Sequence, residues 1–381
     1  MLYGLSKLVP FSAAEFRGPW SGRPLRRPWR ASLRKILPLE TVPVGLLLLT
    51  ITAGCAQPHK ADNDLNRMTL KRRAMECLTA AIRYQANPVV RVEAVEALES
   101  SGCKEGLPWI RAALRDDHPA VRFAACVAVG RCADPVALEN VRKCVDDHDA
   151  SVQVAALFAL HHLGQTWQTG RIPTYLLNHD DVTVRRNAAL ILGLLDEPGA
   201  VKVLARAMRD RDAGVRQHAL EAMARFGNRE ARQELAFMTN AGIGSEEVFA
   251  IGALAQTGDP VYLETFRYKL ATATHLETRL AAARGLGRLG SDEGFETALK
   301  ALRTRKPLID DTNDPPAGQI LRVRQMAAAA LGVIVRAEAL PALGELMEDP
   351  ADPRVQVSAA RAILEILEAD RERALPFGPA E

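Results

Sequence analysis

Apolar residues recur along most of the chain at spacings of three and four, with polar or charged residues between them. This period is that of an amphipathic helix, and no stretch alternates apolar and polar residues as a half-buried strand does. The spacing predicts helices such as Leu107–Leu114, Val201–Met208 and Leu340–Met347. Each of these helices is followed by a turn that contains Asp or Pro and then by a second helix. Since Asp caps a helix N-terminus and Pro fits its first turn, these residues mark where the second helix begins.

The second helix of each pair carries the same short pattern, in which Val-Arg precedes two small residues and then Leu-Gly or Val-Gly. The marker position in this pattern falls at 91, 122, 153, 185, 216, 247, 279, 324 and 356. Seven of the eight steps agree to within one residue, at roughly 31 residues, and such a fixed period is typical of stacked helix pairs. The step from 279 to 324 is longer. We expect about nine pairs over residues 66–368, an insertion near Arg305–Gln319, and a flexible tail at 369–381.

The pattern resembles the HEAT-repeat family, in the short-period variety of phycobilisome-lyase-like proteins. The resemblance rests on Val121-Arg122, Val184-Arg185, Val215-Arg216 and Val323-Arg324, with the small residues that follow them. It implies an all-α, right-handed α-α superhelix, an armadillo-type solenoid with a period of about 31 residues. Gln153, Glu247 and Gln356 depart from the pattern at their markers.

The resemblance also implies a structural ladder, in which each marker arginine ties adjacent repeats by pairing with Asp at a turn. The arginines concerned are Arg91, Arg122, Arg185, Arg216, Arg279 and Arg324. Bidentate pairing with a carboxylate suits the guanidinium group. The alternative is a ladder of cations that binds an anionic partner.

Residues 1–54 differ from the rest of the chain, since they contain eight basic and two acidic residues and end in an apolar run from Val42 to Ala53. These parts are typical of an export signal. The run is shorter than the roughly 17–25 residues that a spanning helix needs. Ala53-Gly54-Cys55 resembles the lipobox of bacterial lipoproteins, which implies cleavage before Cys55 and its lipidation. The alternative is a secretory signal beside which Cys55 carries no lipid.

If Cys55 is lipidated, residues 55–65 form a polar tether to a membrane. We then expect a lipoprotein of the bacterial cell envelope, on the periplasmic face. Ala56 follows the cysteine where Asp can mark inner-membrane retention, which favours the outer membrane.

The net charge of +3 changes meaning once this segment is set apart. The chain has 49 Lys and Arg against 46 Asp and Glu, and without residues 1–54 the balance becomes 41 against 44. The basic excess therefore belongs to the export signal, and only 5% of residues are aromatic. Both observations argue against a nucleic-acid partner, which requires basic surfaces or stacking aromatics.

No familiar catalytic pattern accompanies the repeats. The sequence contains no H-E-x-x-H, C-x-x-C or G-x-S-x-G, and no His-Glu dipeptide of the kind that HEAT-like hydroxylases use for iron. Gly285-Leu-Gly287-Arg-Leu-Gly290 ends a predicted helix, so we interpret Gly287 and Gly290 as C-cap glycines rather than a dinucleotide site. Three histidines recur at turns about 10 Å apart, too far for one metal ion: His118, His148 and His179. We expect no metal and no cofactor.

Two further residue sets bear on partners. Five cysteines besides Cys55 fall in the first three repeats: Cys77, Cys103, Cys126, Cys132 and Cys144. Cys126 lies on an apolar face and is expected in the core, whereas Cys103 and Cys132 are the candidate pair for a disulfide. Trp167 lies in a polar loop and is the candidate partner contact.

These observations predict a non-catalytic, membrane-anchored scaffold that binds an unknown protein on the concave face of the solenoid. We expect no small-molecule substrate. Two alternatives remain open: an enzyme or enzyme subunit of the phycobilisome-lyase-like group, and an envelope assembly factor. Lipoprotein export argues against the lyase, whose substrates would be intracellular.

Overall fold

The computed structural model describes residues 60–101, 104–309 and 314–374, with the side chains of residues 65–370 within these ranges. The described chain forms eighteen α-helices and no strand, which confirms the predicted all-α solenoid of nine helix pairs. The first helices of the pairs are α1 Lys60–Ala81, α3 Leu107–Ala113, α5 Leu138–Cys144, α7 Ile172–Asn178, α9 Ala200–Ala207, α11 Arg229–Met238, α13 Leu263–Thr272, α15 Phe295–Ala301 and α17 Leu340–Met347.

The second helices carry the markers. They are α2 Pro88–Ser100, α4 Pro119–Arg131, α6 Ala150–His162, α8 Val182–Leu195, α10 Ala213–Arg225, α12 Gly244–Gln256, α14 Leu276–Arg288, α16 Pro316–Ile334 and α18 Pro353–Ala374. Short 3-10 helices precede four of the first helices, at Pro135–Ala137, Thr166–Arg171, Pro260–Tyr262 and Ala337–Ala339. No helix in the described part of the chain has the length and apolarity needed to cross a bilayer.

The predicted capping residues start the second helices. The side chains of Asp149, Asp181 and Asp212 each accept a hydrogen bond from a backbone N–H of the first turn, at 2.7 to 3.0 Å. At the other end of α14, Gly290 adopts a left-handed conformation with φ of 83° and ends the repeat, as predicted. Gly287 lies inside α14, so its assignment as a cap was wrong.

The core lies between the two layers of helices. The small residues after each marker are buried there, among them Ala125, Ala188 and Ala282, each 0% exposed. They allow the second helices to approach closely. A methyl group added at Gly130 of α4 would lie 2.8 Å from the ring of Phe158 on α6, closer than real side-chain contacts allow.

The stack closes on itself, which the sequence did not predict. Helix α18 packs against both α1 and α2, so the first and last pairs are neighbours. Arg67 of α1 pairs with Asp370 of α18 at 2.7 Å, and Arg73 of α1 pairs with Glu348 after α17. The nine second helices therefore form an inner ring around a lumen, and the expected open concave face becomes the wall of that lumen.

The element boundaries differ at two places from those expected. Helix α1 begins at Lys60, within the segment expected as a tether, and α18 continues to Ala374, beyond residue 368. The described ends of the insertion are held in place, since the Gln319 side chain bonds to backbone groups of Leu308, Ile309 and Asp314.

Candidate functional site

The marker arginines link each inner helix to the turn of the next repeat. Nε and Nη2 of Arg122 donate to both carboxylate oxygens of Asp147 at 2.8 and 2.7 Å, and Nη1 donates to the carbonyl oxygen of Asp116. Burial acts to raise the pKa of Asp147, but the bonds from Arg122 and the backbone outweigh it and lower that pKa. Arg91 pairs with Asp116 and Arg185 with Asp210 in the same two-bond manner, whereas Arg324 pairs with Asp349 through Nη2 alone.

Arg216 and Arg279 do not form the predicted rungs. Arg216 donates only to backbone carbonyl oxygens of its own turn, at Asp210 and Arg211, and in the described residues neither arginine bonds to an aspartate carboxylate. The four observed partners all lie 25 residues after their arginine. At that distance from Arg216 and Arg279 stand Ala241 and Thr304, which carry no charge.

Two markers that depart from the pattern make other polar links. Glu247 pairs with Lys269 at 3.0 Å, and both side chains are more than 90% buried. Gln153 accepts a hydrogen bond from the Tyr175 hydroxyl at 2.6 Å and donates to the carbonyl oxygen of Asp147. Both Lys269 and Tyr175 lie 22 residues after their marker. The link between repeats is thus preserved where the arginine is missing.

Charged side chains of the inner helices meet at the lumen, and we call this set the lumen charge cluster. It comprises Glu93, Glu96, Glu99, Arg131, Glu221, Arg225, Arg284, Arg288, Arg361 and Glu365. Arg131 lies 3.0 Å from Glu99, and Nε of Arg361 donates to Glu365 at 3.0 Å. Charges from helices that are far apart in sequence, such as Arg284 and Arg361, act on one another here.

The low polarity around the cluster shifts its ionisation. Burial raises the pKa of Glu93 to about 7 and holds that of Glu96 well above its usual range. Burial also lowers the pKa of Arg225 and of Arg284. Buried charges are costly unless paired, so this cluster is a feature that packing alone does not require.

Sequence reasoning missed this cluster, although a signal for it exists. Glu96, Glu221, Arg284 and Arg361 all stand five positions after their markers, where Val127 and Leu190 stand in other repeats. A charge at a position that is otherwise apolar marks the lumen wall.

The lumen contains a cavity of about 310 Å³, which extends along α4 from Pro119 to Arg131. Residues of α2, α4, α6, α8 and α18 line it, including Glu96 and Arg361 on the two sides of the ring closure. The mouth lies at the N-terminal ends of α4 and α8, where His118 and Thr183 are exposed.

Trp167 lies at the opposite end of the inner helices. Its side chain is 78% exposed in the 3-10 segment before α7. Val136, 67% exposed, and exposed Pro198 occupy the same place in the repeats before and after it. We call Val136, Trp167 and Pro198 the apolar rim.

Two polar residues, His161 and Asp134, fix the backbone segments that carry the apolar rim. One ring nitrogen of His161 lies 3.1 Å from the Thr169 hydroxyl and the other 3.3 Å from the Glu197 carboxylate, which connects the segments of Trp167 and Pro198. Asp134 accepts from the backbone N–H of Val136 and pairs with Arg111 at 2.6 Å. The exposed apolar groups therefore project from ordered backbone.

Cys77, Cys126 and Cys144 are free thiols. Cys126 is fully buried, as expected, and a hydrogen bond between its thiol and that of Cys144 raises the pKa of Cys126. Cys103 and Cys55 lie outside the described residues, so the disulfide with Cys132 and the lipid anchor stay predictions. The described part of the chain contains no group of three His, Cys, Asp or Glu side chains placed to hold a metal ion.

Residues 75–161 and 174–242 match the family model for HEAT repeats. A HEAT repeat-containing taxis protein of Halobacterium salinarum is 31% identical over 150 residues, which are 39% of this chain and 34% of that protein. The chain thus spans about a third of the length of this relative. These matches show that the chain contains HEAT repeats.

Solved structures with a similar arrangement include the CpcE–CpcF complex of phycocyanin lyase from Nostoc. It has 17% identity and a TM-score of 0.38, covering 58% of this chain and 91% of that one. Human deoxyhypusine hydroxylase also has 17% identity, with a TM-score of 0.34, covering 80% of this chain and 99% of that one.

Proposed function

We propose that the protein is a non-catalytic, membrane-anchored scaffold that binds a protein partner at the apolar rim. The observation that supports this proposal is the exposure of Trp167, Val136 and Pro198 at the same edge of three successive repeats. Exposed apolar groups that cluster in this way are typical of interaction sites. A tryptophan on ordered backbone is a frequent hot spot, because little conformational entropy is lost on binding.

The ring closure favours the apolar rim over the concave face as the binding site for a protein partner. The inner helices enclose the lumen, and its cavity of about 310 Å³ is much smaller than a folded domain. A folded partner therefore contacts the rims or the outer helices of the ring. Stable protein interfaces need about 800 Å² on each partner, which the edge of three repeats and their turns can supply.

Replacing Trp167 tests the rim. A photo-crosslinking amino acid at position 167 first identifies the partner, and the affinity of that purified partner is then measured for Trp167→Ala. We expect at least tenfold weaker binding, as for an interface hot spot.

Phe237→Ala is the matched control, because Phe237 is an equally exposed aromatic residue on α11, 81% exposed and away from the rim. Its affinity should equal that of the unmodified protein. Equal losses in both variants, or no loss with Trp167→Ala, would contradict binding at the rim.

We propose that Cys55 attaches this scaffold to a membrane, on the strength of the Ala53-Gly54-Cys55 sequence and the apolar run before it. Cys55→Ala should move the protein from the membrane fraction to the soluble fraction and abolish incorporation of labelled palmitate. Cys132→Ala, a cysteine between repeats, is the control and should change neither. Labelling that persists in Cys55→Ala would exclude this residue as the anchor.

A further inference from the structure

The lumen cavity is lined by one carboxylate that has no hydrogen-bond partner among the described residues. On α2, Glu93 accepts a hydrogen bond from Gln325 and Glu99 pairs with Arg131. Glu96 lies between them, lines the cavity and has no hydrogen bond to any described residue. It is surrounded by protein, and only charges at longer range act on it: Arg361 of α18, Arg131 of α4, and Glu93 and Glu99 of its own helix.

The other charges that line the cavity already have partners. Arg131 is engaged by Glu99, and Arg361 by Glu365. Asp149 at the mouth accepts two backbone N–H groups of α6, and Nδ1 of His118 accepts from the backbone of α4. Glu96 and Asp149 are therefore the lining carboxyl groups without an ion-pair partner in the described part of the chain, so a bound cation can compensate their charge. Such a site favours a cation over an anion.

The remaining wall is apolar. Phe123 and Val127 of α4, Leu190 of α8 and Val92 of α2 face the same space. A volume of about 310 Å³ equals that of roughly ten water molecules. It lies at the lower end of the range for small-molecule sites, which combine apolar walls with a few polar groups.

We propose that this cavity binds a small organic cation, whose ammonium or guanidinium group pairs with the Glu96 carboxylate and whose apolar body packs on Phe123, Val127 and Leu190. The ligand enters between the N-terminal ends of α4 and α8. This site lies inside the lumen and shares no lining residue with the apolar rim, so it is distinct from the protein interaction proposed above.

Calorimetric titration of the full chain tests the site with three probes that share a six-carbon chain and differ in their head group: hexylamine, hexan-1-ol and hexanoate. Hexylammonium should bind at least tenfold more tightly than the alcohol or the carboxylate. Glu96→Gln should weaken hexylammonium binding at least tenfold. Glu230→Gln, an exposed carboxylate on α11, is the control and should leave binding unchanged.

A second measurement does not depend on any variant. Burial holds the pKa of Glu96 well above its usual range, and a cation that pairs with the carboxylate should lower that pKa, so binding should be coupled to proton release. Titration in phosphate and in Tris, whose ionisation enthalpies differ, should show net proton release on binding. Failure of all three probes to bind, tighter binding of hexanoate, or binding without proton release would overturn the proposal.

Discussion

Asp147 shows why a marker arginine needs a partner at a fixed distance. Its carboxylate pairs with Arg122 and also accepts the backbone N–H of Asp149 at 2.9 Å, so one side chain joins two repeats and shapes the next turn. Asp116, Asp210 and Asp349 accept a backbone N–H two residues later in the same way. An ion pair between repeats therefore requires both the marker arginine and the aspartate 25 residues later, and the arginine alone does not predict it.

Ala241→Asp should supply the missing partner of Arg216. The new carboxylate stands 25 residues after the arginine, as in the four observed pairs, and Ala241 is half-buried at its turn. A charge-assisted pair of this kind contributes on the order of 1 to 2 kcal/mol to the free energy of unfolding. Urea denaturation measures the gain.

Ala241→Asn is the control, since it can bond to the backbone but carries no charge. It should give less than half of the gain of Ala241→Asp. Equal stabilisation by Asp and Asn would mean that the turn, and not the pair with Arg216, is the origin of the effect.

Among the elements, α2 and α18 form the seam that closes the ring, and carboxyl groups stand at this contact. Glu93 of α2 accepts from Gln325 of α16 and lies near Arg354 of α18. A carboxyl group that burial keeps protonated fits this contact better than a carboxylate does. The seam should therefore respond to pH near neutrality.

The stability of the protein should include a component that falls as the pH rises from about 4.5 to about 7. Burial raises the pKa of Glu93 from its ordinary value of 4.5 to about 7, so in this window the folded state holds a proton that the unfolded state has lost. The free energy of unfolding decreases with pH wherever the folded state binds more protons. Below about 4.5 and above about 7 this component is flat.

Glu93→Gln removes the component, and urea denaturation at pH 5 and pH 7.5 measures it. The variant should lose less stability between the two values than the unmodified protein, whereas Glu230→Gln should behave as the unmodified protein. The comparison is made between variants because burial lowers the pKa of His162, which adds a component of opposite sign. An unchanged difference for Glu93→Gln would contradict the assignment.

At the scale of the whole molecule, the constant step between markers predicts the number of pairs, and the caps at Asp149, Asp181 and Asp212 predict where inner helices begin. Closure is different, because it depends on small rotations between neighbouring pairs that accumulate over nine repeats. No local pattern encodes their sum. The part of the lumen charge cluster that crosses the seam was missed for the same reason, since Glu96 of α2 and Arg361 of α18 come close only when the ring closes.

Closure also changes what the inner surface can do. In an open superhelix the charges of α2, α14 and α18 would face solvent, where pairing contributes little. In the ring they face one another across a confined lumen, with shifted ionisation at Glu96 and Arg284. The ring therefore separates two surfaces: an outer rim that a protein can reach and an inner cavity that admits only small molecules.

The ion pair between Arg67 and Asp370 provides a direct test of closure. Asp370→Arg places two cations at the seam, and like charges at this distance repel. Small-angle X-ray scattering should show a larger radius of gyration, and the distance between labels on α1 and α18 should increase. The double variant Arg67→Asp with Asp370→Arg restores an opposite-charge pair and should recover the compact ring.

Glu264→Arg is the control, because it disrupts an exposed pair within α13 and should change neither the radius of gyration nor the distance between the labels. If Asp370→Arg also leaves both unchanged, the pair of Arg67 with Asp370 does not hold the seam, and closure rests on the apolar packing of α18 against α1 and α2.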